Sequence, residues 1–177
     1  SYLSAAAGAG FSCVVRGDHS LECWGQNFFD TAMPPPGTDY VSVTAGDFHA
    51  CAFKSDGTLV CWGDGVNGET AVPADTEFAS VSCGTSFSCG LTTDGAIKCW
   101  GFDNGGRLDS PPGTGYLSVS AGVRYGCAVA SDSSLTCWGT GLDGAALPPS
   151  GTGFAKVSAG ETAACALKLD GAIHCWG

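Results

Sequence analysis

The sequence has 177 residues and a mass of 17.7 kDa, with 28 glycines, 11 cysteines and 14% charged residues, against roughly 7% glycine and about 25% charge in an average soluble domain. Hydrophobic residues reach 44% without counting glycine, which suffices for a core and excludes the low hydrophobicity of disordered chains. Seventeen acidic against seven basic side chains give a net charge of −10, the wrong sign for neutralising nucleic-acid phosphates or anionic lipid, and the uncharged opening stretch from Ser1 to Val15 is too short to cross about 30 Å of hydrocarbon.

Self-similarity organises the chain. The tripeptide Cys-Trp-Gly starts at Cys23, Cys61, Cys99, Cys137 and Cys175, a step of 38 residues without insertion or deletion. Cys13, Cys51, Cys89, Cys127 and Cys165 keep the same step, as do Gly8, Gly46, Gly84, Gly122 and Gly160. A single repeat domain over residues 1–177 is expected, with units 2–39, 40–77, 78–115, 116–153 and 154–177. Since no basic, Leu-rich leader precedes Ser1, any targeting peptide is expected either to have been removed or to lie outside this sequence.

Within a unit the first element is Tyr40 to Ala45, whose alternation places Val41, Val43 and Ala45 on one face and Tyr40, Ser42 and Thr44 on the other. That period predicts a strand. After Gly46 a second alternating run, Cys51 to Lys54, leads into Ser55-Asp56-Gly57 and a third run, Thr58 to Trp62. Asp-Gly here predicts a hairpin in which Gly57 supplies a positive φ. Asp94-Gly95 and Asp170-Gly171 repeat the signal, whereas Asp18-His19 and Asp132-Ser133 lack the glycine and predict a less comfortable turn. The connectors, with Pro35, Pro73, Pro111 and Pro149 in one column, read as loops rather than helices. Three short strands per unit and no helical period predict an all-β chain: a β-propeller of five three-stranded repeats. Cys51, Phe53, Leu59 and Cys61 share one side of the hairpin and Ala52, Val60 and Trp62 the other. Both sides therefore need cover, and the tryptophan column, Trp24 to Trp176, is expected to pack between blades.

The residues Ala45-Gly46-Asp47-Phe48-His49-Ala50-Cys51-Ala52-Phe53, then Asp56-Gly57, Trp62-Gly63 and Gly68-Glu69, resemble the repeat of the regulator of chromosome condensation (RCC1-like) superfamily. The resemblance covers all five units and is nearest to the secreted, short-bladed branch that includes β-lactamase inhibitory protein II and the cysteine-containing crinkly repeats of plant receptor kinases. It implies a propeller and, since rim loops of the inhibitor grip a partner protein, it implies protein binding. Members commonly have seven blades where this chain has five units. The asparagine usual in the connector stands only at Asn27, with Gly65, Asp103 and Gly141 in its place elsewhere.

Directly opposed residues of a hairpin centred on Asp56 include Cys51 and Cys61, within bridging distance for an antiparallel pair. Five disulfides are expected: Cys13–Cys23, Cys51–Cys61, Cys89–Cys99, Cys127–Cys137 and Cys165–Cys175. Each contributes about 3 kcal/mol on the chain-entropy account. Zinc is the alternative use of such cysteines, but the spacing lacks the Cys-x2-Cys knuckle. Disulfides imply an oxidising compartment, hence a secreted or surface-displayed protein. Cys83, in the column of Ala7, Ala45, Ala121 and Ala159, reads either as a buried small thiol or as an intermolecular bridge.

Catalytic patterns are absent: His19, His49 and His174 are scattered, and no nucleophile elbow, metal-binding helix motif, phosphate loop or dinucleotide fingerprint occurs. No enzyme activity, metal or cofactor is expected, and the acidic segments at Asp64 to Glu69 and Asp103 to Gly105 read as solvated turns rather than calcium loops. Recognition is expected where identity varies on a fixed scaffold. Phe28, Phe29, Phe48, Phe102, Arg107, Arg124 and Leu142 are large residues in columns otherwise small or polar, and aromatic and Arg side chains dominate protein hot spots. The leading expectation is a secreted, non-enzymatic module that binds another protein through one rim. A structural subunit of an extracellular filament or wall, built from copies of the chain, is the alternative, and a lectin that stacks glycans on its aromatic rim is the third. Two closures are expected: a closed five-bladed ring, which the equal unit lengths favour, or an open arc whose exposed blade faces pair with another chain, with Val15, Leu21, Leu167 and Ile173 near its ends.

Overall fold

The computed structural model describes all 177 residues. Fifteen strands form five separate antiparallel sheets, each from three consecutive strands. The first sheet holds β1 (Tyr2–Ala7), β2 (Phe11–Arg16) and β3 (Leu21–Gly25). The second holds β4 (Tyr40–Ala45), β5 (His49–Lys54) and β6 (Leu59–Gly63), and the third β7 (Phe78–Cys83), β8 (Phe87–Thr92) and β9 (Ile97–Gly101). The fourth consists of β10 (Tyr116–Ala121), β11 (Tyr125–Ala130) and β12 (Leu135–Gly139), and the fifth of β13 (Phe154–Ala159), β14 (Ala164–Lys168) and β15 (Ile173–Trp176). The expected three-strand unit is therefore present five times. The connectors carry only two single 3-10 turns, Phe28–Asp30 and Leu142–Gly144.

The hairpin register places Cys51 opposite Cys61 and Phe53 opposite Leu59, and its turn is set by Gly57 at φ 87°. His19 and Ser133 take the same left-handed conformation at φ 65° and 64° without being glycine, as the sequence led one to expect. All five hairpin cysteine pairs are disulfides, with Cα–Cα distances of 4.0–4.1 Å.

The first strand departs from simple alternation. A bulge shifts the register between Tyr40 and Ser42, and an equivalent shift occurs in every sheet. The extra residue turns Val41 out to solvent, while Tyr40 joins Val43 in the core. An inserted residue changes which later side chains share a face, so the grouping of Val41 with Val43 is corrected.

Each sheet has a cysteine face and a tryptophan face, and the cysteine face of one packs on the tryptophan face of the next. Phe11, Cys13 and Val15 of the first sheet thus share a core with Tyr40, Val43, Ala50, Ala52 and Trp62 of the second. Trp62, Trp100 and Trp138 are buried, and their indole N–H groups donate to the carbonyl oxygens of Thr31, Glu69 and Arg107 in the preceding connectors at 2.9–3.0 Å. The glycines at the corner between first and second strands permit close stacking: a Cβ on Gly122 would lie 2.5 Å from the Gly160 carbonyl oxygen.

The expected closure of five blades into a ring does not occur. Gly8, Gly46, Gly84 and Gly122 each face the carbonyl of the next corner glycine, but Gly160 meets only its own loop, at the Ala163 carbonyl oxygen. The tryptophan face of the first sheet and the cysteine face of the fifth are bare, with Tyr2 68%, Trp24 52%, Leu167 39% and Ile173 73% exposed. Of the residues expected near the ends, Leu167 and Ile173 are there, whereas Val15 is fully buried and Leu21 packs beside it against the second sheet. Alternating faces were legible in the sequence, but which face points forward along the stack was not. The 177 residues form an open arc of five blades.

Candidate functional site

Two kinds of variable segment meet at one edge of the arc. The corner after each Ala-Gly lies beside the start of a connector, through Gln26 N–H to Gly10 O at 2.8 Å, Asp64 N–H to Phe48 O at 2.7 Å, Phe102 N–H to Ser86 O at 2.8 Å and Thr140 N–H to Arg124 O at 3.0 Å. Corner loops and connector starts therefore form a single rim, while the Asp-centred hairpin turns occupy the other. In those turns the exposed carboxylates of Asp18, Asp56, Asp94 and Asp132 are held below the ordinary range by hydrogen bonds from Ser20, Thr58, Thr92 and Ser134.

At the seam of the first two sheets the rim is apolar. Phe28 and Phe29 are 59% and 55% exposed, and the Phe29 ring lies edge-on to Phe48 at a centroid distance of 6.0 Å. The backbone beneath is unusual, since Phe29 and Asp30 both have left-handed φ, at 57° and 60°. Asp30 occupies the column of Gly68, Gly106 and Gly144, all of positive φ. A bulky residue in that conformation costs on the order of 1–2 kcal/mol. Asn27 anchors the turn by accepting the Ala32 N–H at 2.8 Å, and Thr31 donates to the Gln26 carbonyl at 3.1 Å.

A second group lies at the seam of the third and fourth sheets. Phe102 is 40% exposed, whereas Arg107 is only 5% exposed and lies beneath it. The Arg107 guanidinium carbon is 5.4 Å from the Phe102 ring centroid and 5.7 Å from that of Phe87, and its Nε donates to the Asn104 carbonyl at 3.1 Å. Burial lowers its pKa, with the nearby Arg124 acting in the same direction. Arg107 therefore props the connector, while Arg124 stays exposed at the rim. Leu142, 44% exposed, stands apart on the fourth connector.

Sequence reasoning passed over Val66, which at 82% exposure shares the column of Phe28 and Leu142. That column is the signal that would have found it. Corner residues of all five sheets, with Cys83, also line an open trough of about 540 Å³. Cys83 is free and buried, and burial pushes its thiol up to about 11. Glu69 is buried, with its carboxylate accepting both the backbone N–H and the side-chain amide of Asn67. No helix is long and apolar enough to cross a membrane.

The repeat described as "Regulator of chromosome condensation (RCC1) repeat" matches residues 40–69 and 78–107. No curated protein sequence matches the chain. Among solved structures, the ectodomain of the Physcomitrella patens receptor kinase CR4 is similar at a TM-score of 0.83 and 30% identity, over 96% of this chain and 50% of that one. The CRINKLY WD40 ectodomain of the Arabidopsis thaliana receptor kinase ACR4 is similar at 0.84 and 29% identity, over 99% of this chain and 65% of that one. The chain thus spans about half to two thirds of the length of these ectodomains. Prp20p from Saccharomyces cerevisiae, whose structure was described with its binding to Gsp1p and histones, shares the fold at a TM-score of 0.81 and 15% identity, over 97% of this chain and 56% of that one. Residues 40–69 and 78–107 thus match the RCC1 repeat, and the five disulfide-stapled, three-stranded blades in tandem share the propeller fold of these ectodomains.

Proposed function

We propose that the chain is an extracellular, non-catalytic binding module that recognises a partner protein through the rim at Phe28, Phe29 and Phe48. The observation that carries this reading is the strained Phe29–Asp30 backbone, which holds two phenylalanines in water at a turn where the other connectors use glycine. Large apolar side chains presented on strained backbone are a feature of ligand clamps. The two receptor-kinase ectodomains of similar sequence and the five disulfides support an extracellular setting. Phe102, Arg124 and Leu142 extend the surface along the rim, with Arg107 acting from below. Acidic groups at Asp30, Asp103 and Asp143 on the same connectors favour a partner face that combines apolar and basic residues.

The test is affinity capture from extracellular extract with the intact protein and with Phe28→Ala/Phe29→Ala/Phe48→Ala. A discrete protein retained by the first and reduced at least tenfold by the second is the expected result, at an unfolding midpoint within a few degrees of the parent. Equal retention by both would remove this rim from consideration. A glycan-array signal lost in the same variant would reassign it to carbohydrate.

A further inference from the structure

The four seams between successive sheets are not alike, and the one between the second and third is the loosest. Apolar cores join the first sheet to the second, the third to the fourth and the fourth to the fifth, but none joins the second to the third. Phe53 is left half-buried there, whereas Val15, Leu91 and Val129 in its column are buried. A backbone bond is missing as well. Tyr40, Tyr116 and Phe154 open their sheets by donating to the hairpin turn of the preceding one, at the carbonyls of His19, Gly95 and Ser133, each at 3.0 Å, whereas Phe78 makes no such bond to Gly57. The Phe78 ring turns instead onto its own sheet, 5.3 Å from Trp100 and over Gly90, where the other sheets carry Val14, Ala52, Ala128 and Ala166.

The hydrogen bond that crosses this seam is the buried pair of His49 and Ser88, in the layer where Phe11 meets Ala50 and Tyr125 meets Ala164 at other seams. The His49 Nδ1 has no partner, so the pair closes the seam less firmly than an apolar one. A pocket of about 190 Å³ lies between Thr44, Cys51 and Phe53 on one side and Ala79 and Val81 on the other. On the hairpin rim a groove of about 680 Å³ separates residues 56–59 from residues 75–78. At the opposite edge the seam is shut, with Gly46 against the Gly84 carbonyl as at the other internal corners.

We propose that this seam is a hinge, closed at the Gly46–Gly84 corner and opening towards the hairpin turns, about which the first two sheets move relative to the third and fourth. A seam with few buried apolar contacts and one polar bond opens at lower cost than the three that hold cores. The exposed groups of the rim lie on opposite sides of it, Phe28, Phe29 and Phe48 with the first two sheets, Phe102, Arg124 and Leu142 with the third and fourth. Opening therefore changes the separation of these groups, although the hinge does not depend on their binding a partner.

The test is thiol labelling of the native protein, since Cys83 lies in the seam beside Thr44 and the Cys51 backbone of the second sheet. Without denaturant, 4,4′-dithiodipyridine should react with Cys83 at least tenfold faster than with the thiol of a Cys83→Ala/Ala121→Cys chain, which stands in the same column at a seam that holds a core. Both positions line the trough, so access from that side cancels. The unfolding midpoint of the second chain should lie within a few degrees of the parent. On the parent alone, the Cys83 labelling rate should rise with denaturant less steeply than global unfolding does, because opening one seam exposes little surface. Equal rates for the two thiols would overturn the hinge, as would a Cys83 rate that tracks global unfolding.

Discussion

His49 occupies a column otherwise filled by Phe11, Phe87, Tyr125 and Ala163, and it is fully buried. Its Nε2 is 2.8 Å from the Ser88 hydroxyl, also fully buried, while Nδ1 has no partner. Burial pushes its pKa from 6.5 down to about 4, against the weaker upward pull of Glu69, Asp64 and Asp47. The folded state therefore resists protonation that the unfolded chain accepts. Stability from the neutral imidazole is complete above 6.5 and is lost as pH falls towards about 4, a loss of about 3 kcal/mol. The turn carboxylates behave differently: their lowered values confine their losses to more acidic solution. Denaturant unfolding between pH 7 and 4 should show a falling midpoint in the parent and a nearly flat one in His49→Phe. An equal slope in both would place the proton elsewhere. Burial of His49 was legible from its aromatic column, but its partner was not, because Ser88 lies 39 residues away on the next sheet.

At the scale of strands and turns, elements with a strong period or a specific turn dipeptide were read correctly. The hairpins, their cysteine register and the Asp-Gly turns all follow from local chemistry. The bulge in each first strand was hidden because Tyr40 to Ala45 alternates without interruption in sequence, while the register slips in the pairing with β5. The role of Arg107 was hidden for a similar reason, since whether a large residue in a variable column points out or under is set by Phe87 and Phe102, not by its own segment. The tryptophan column gives a direct test of blade stacking. Trp100 is 6% exposed and donates to the Glu69 carbonyl, so Trp100→Ala should cost about 3–5 kcal/mol, the usual penalty for truncating a buried aromatic. Trp24, in the same column but half in water, should cost less than about 1 kcal/mol in the monomer. Equal penalties in chemical denaturation would contradict the orientation of the stack.

Across the whole molecule the fold is quasi-one-dimensional, since each blade touches mainly its neighbours and there is no junction between fifth and first. In such arrays local stability sums a repeat's own contribution and its interfaces, so blades with two interfaces should outlast those with one. Burial already grades this way: β8 in the third sheet is buried at all six positions, whereas β15 is exposed everywhere but Trp176 and β1 is exposed at four of six positions. The disulfides do not erase the gradient, because each lies within one hairpin and none ties a blade to its neighbour. Native-state hydrogen exchange should therefore give the slowest amides in β8 and β11 and the fastest in β1 and β15. Uniform protection across the five sheets would mean that the arc unfolds as one cooperative unit.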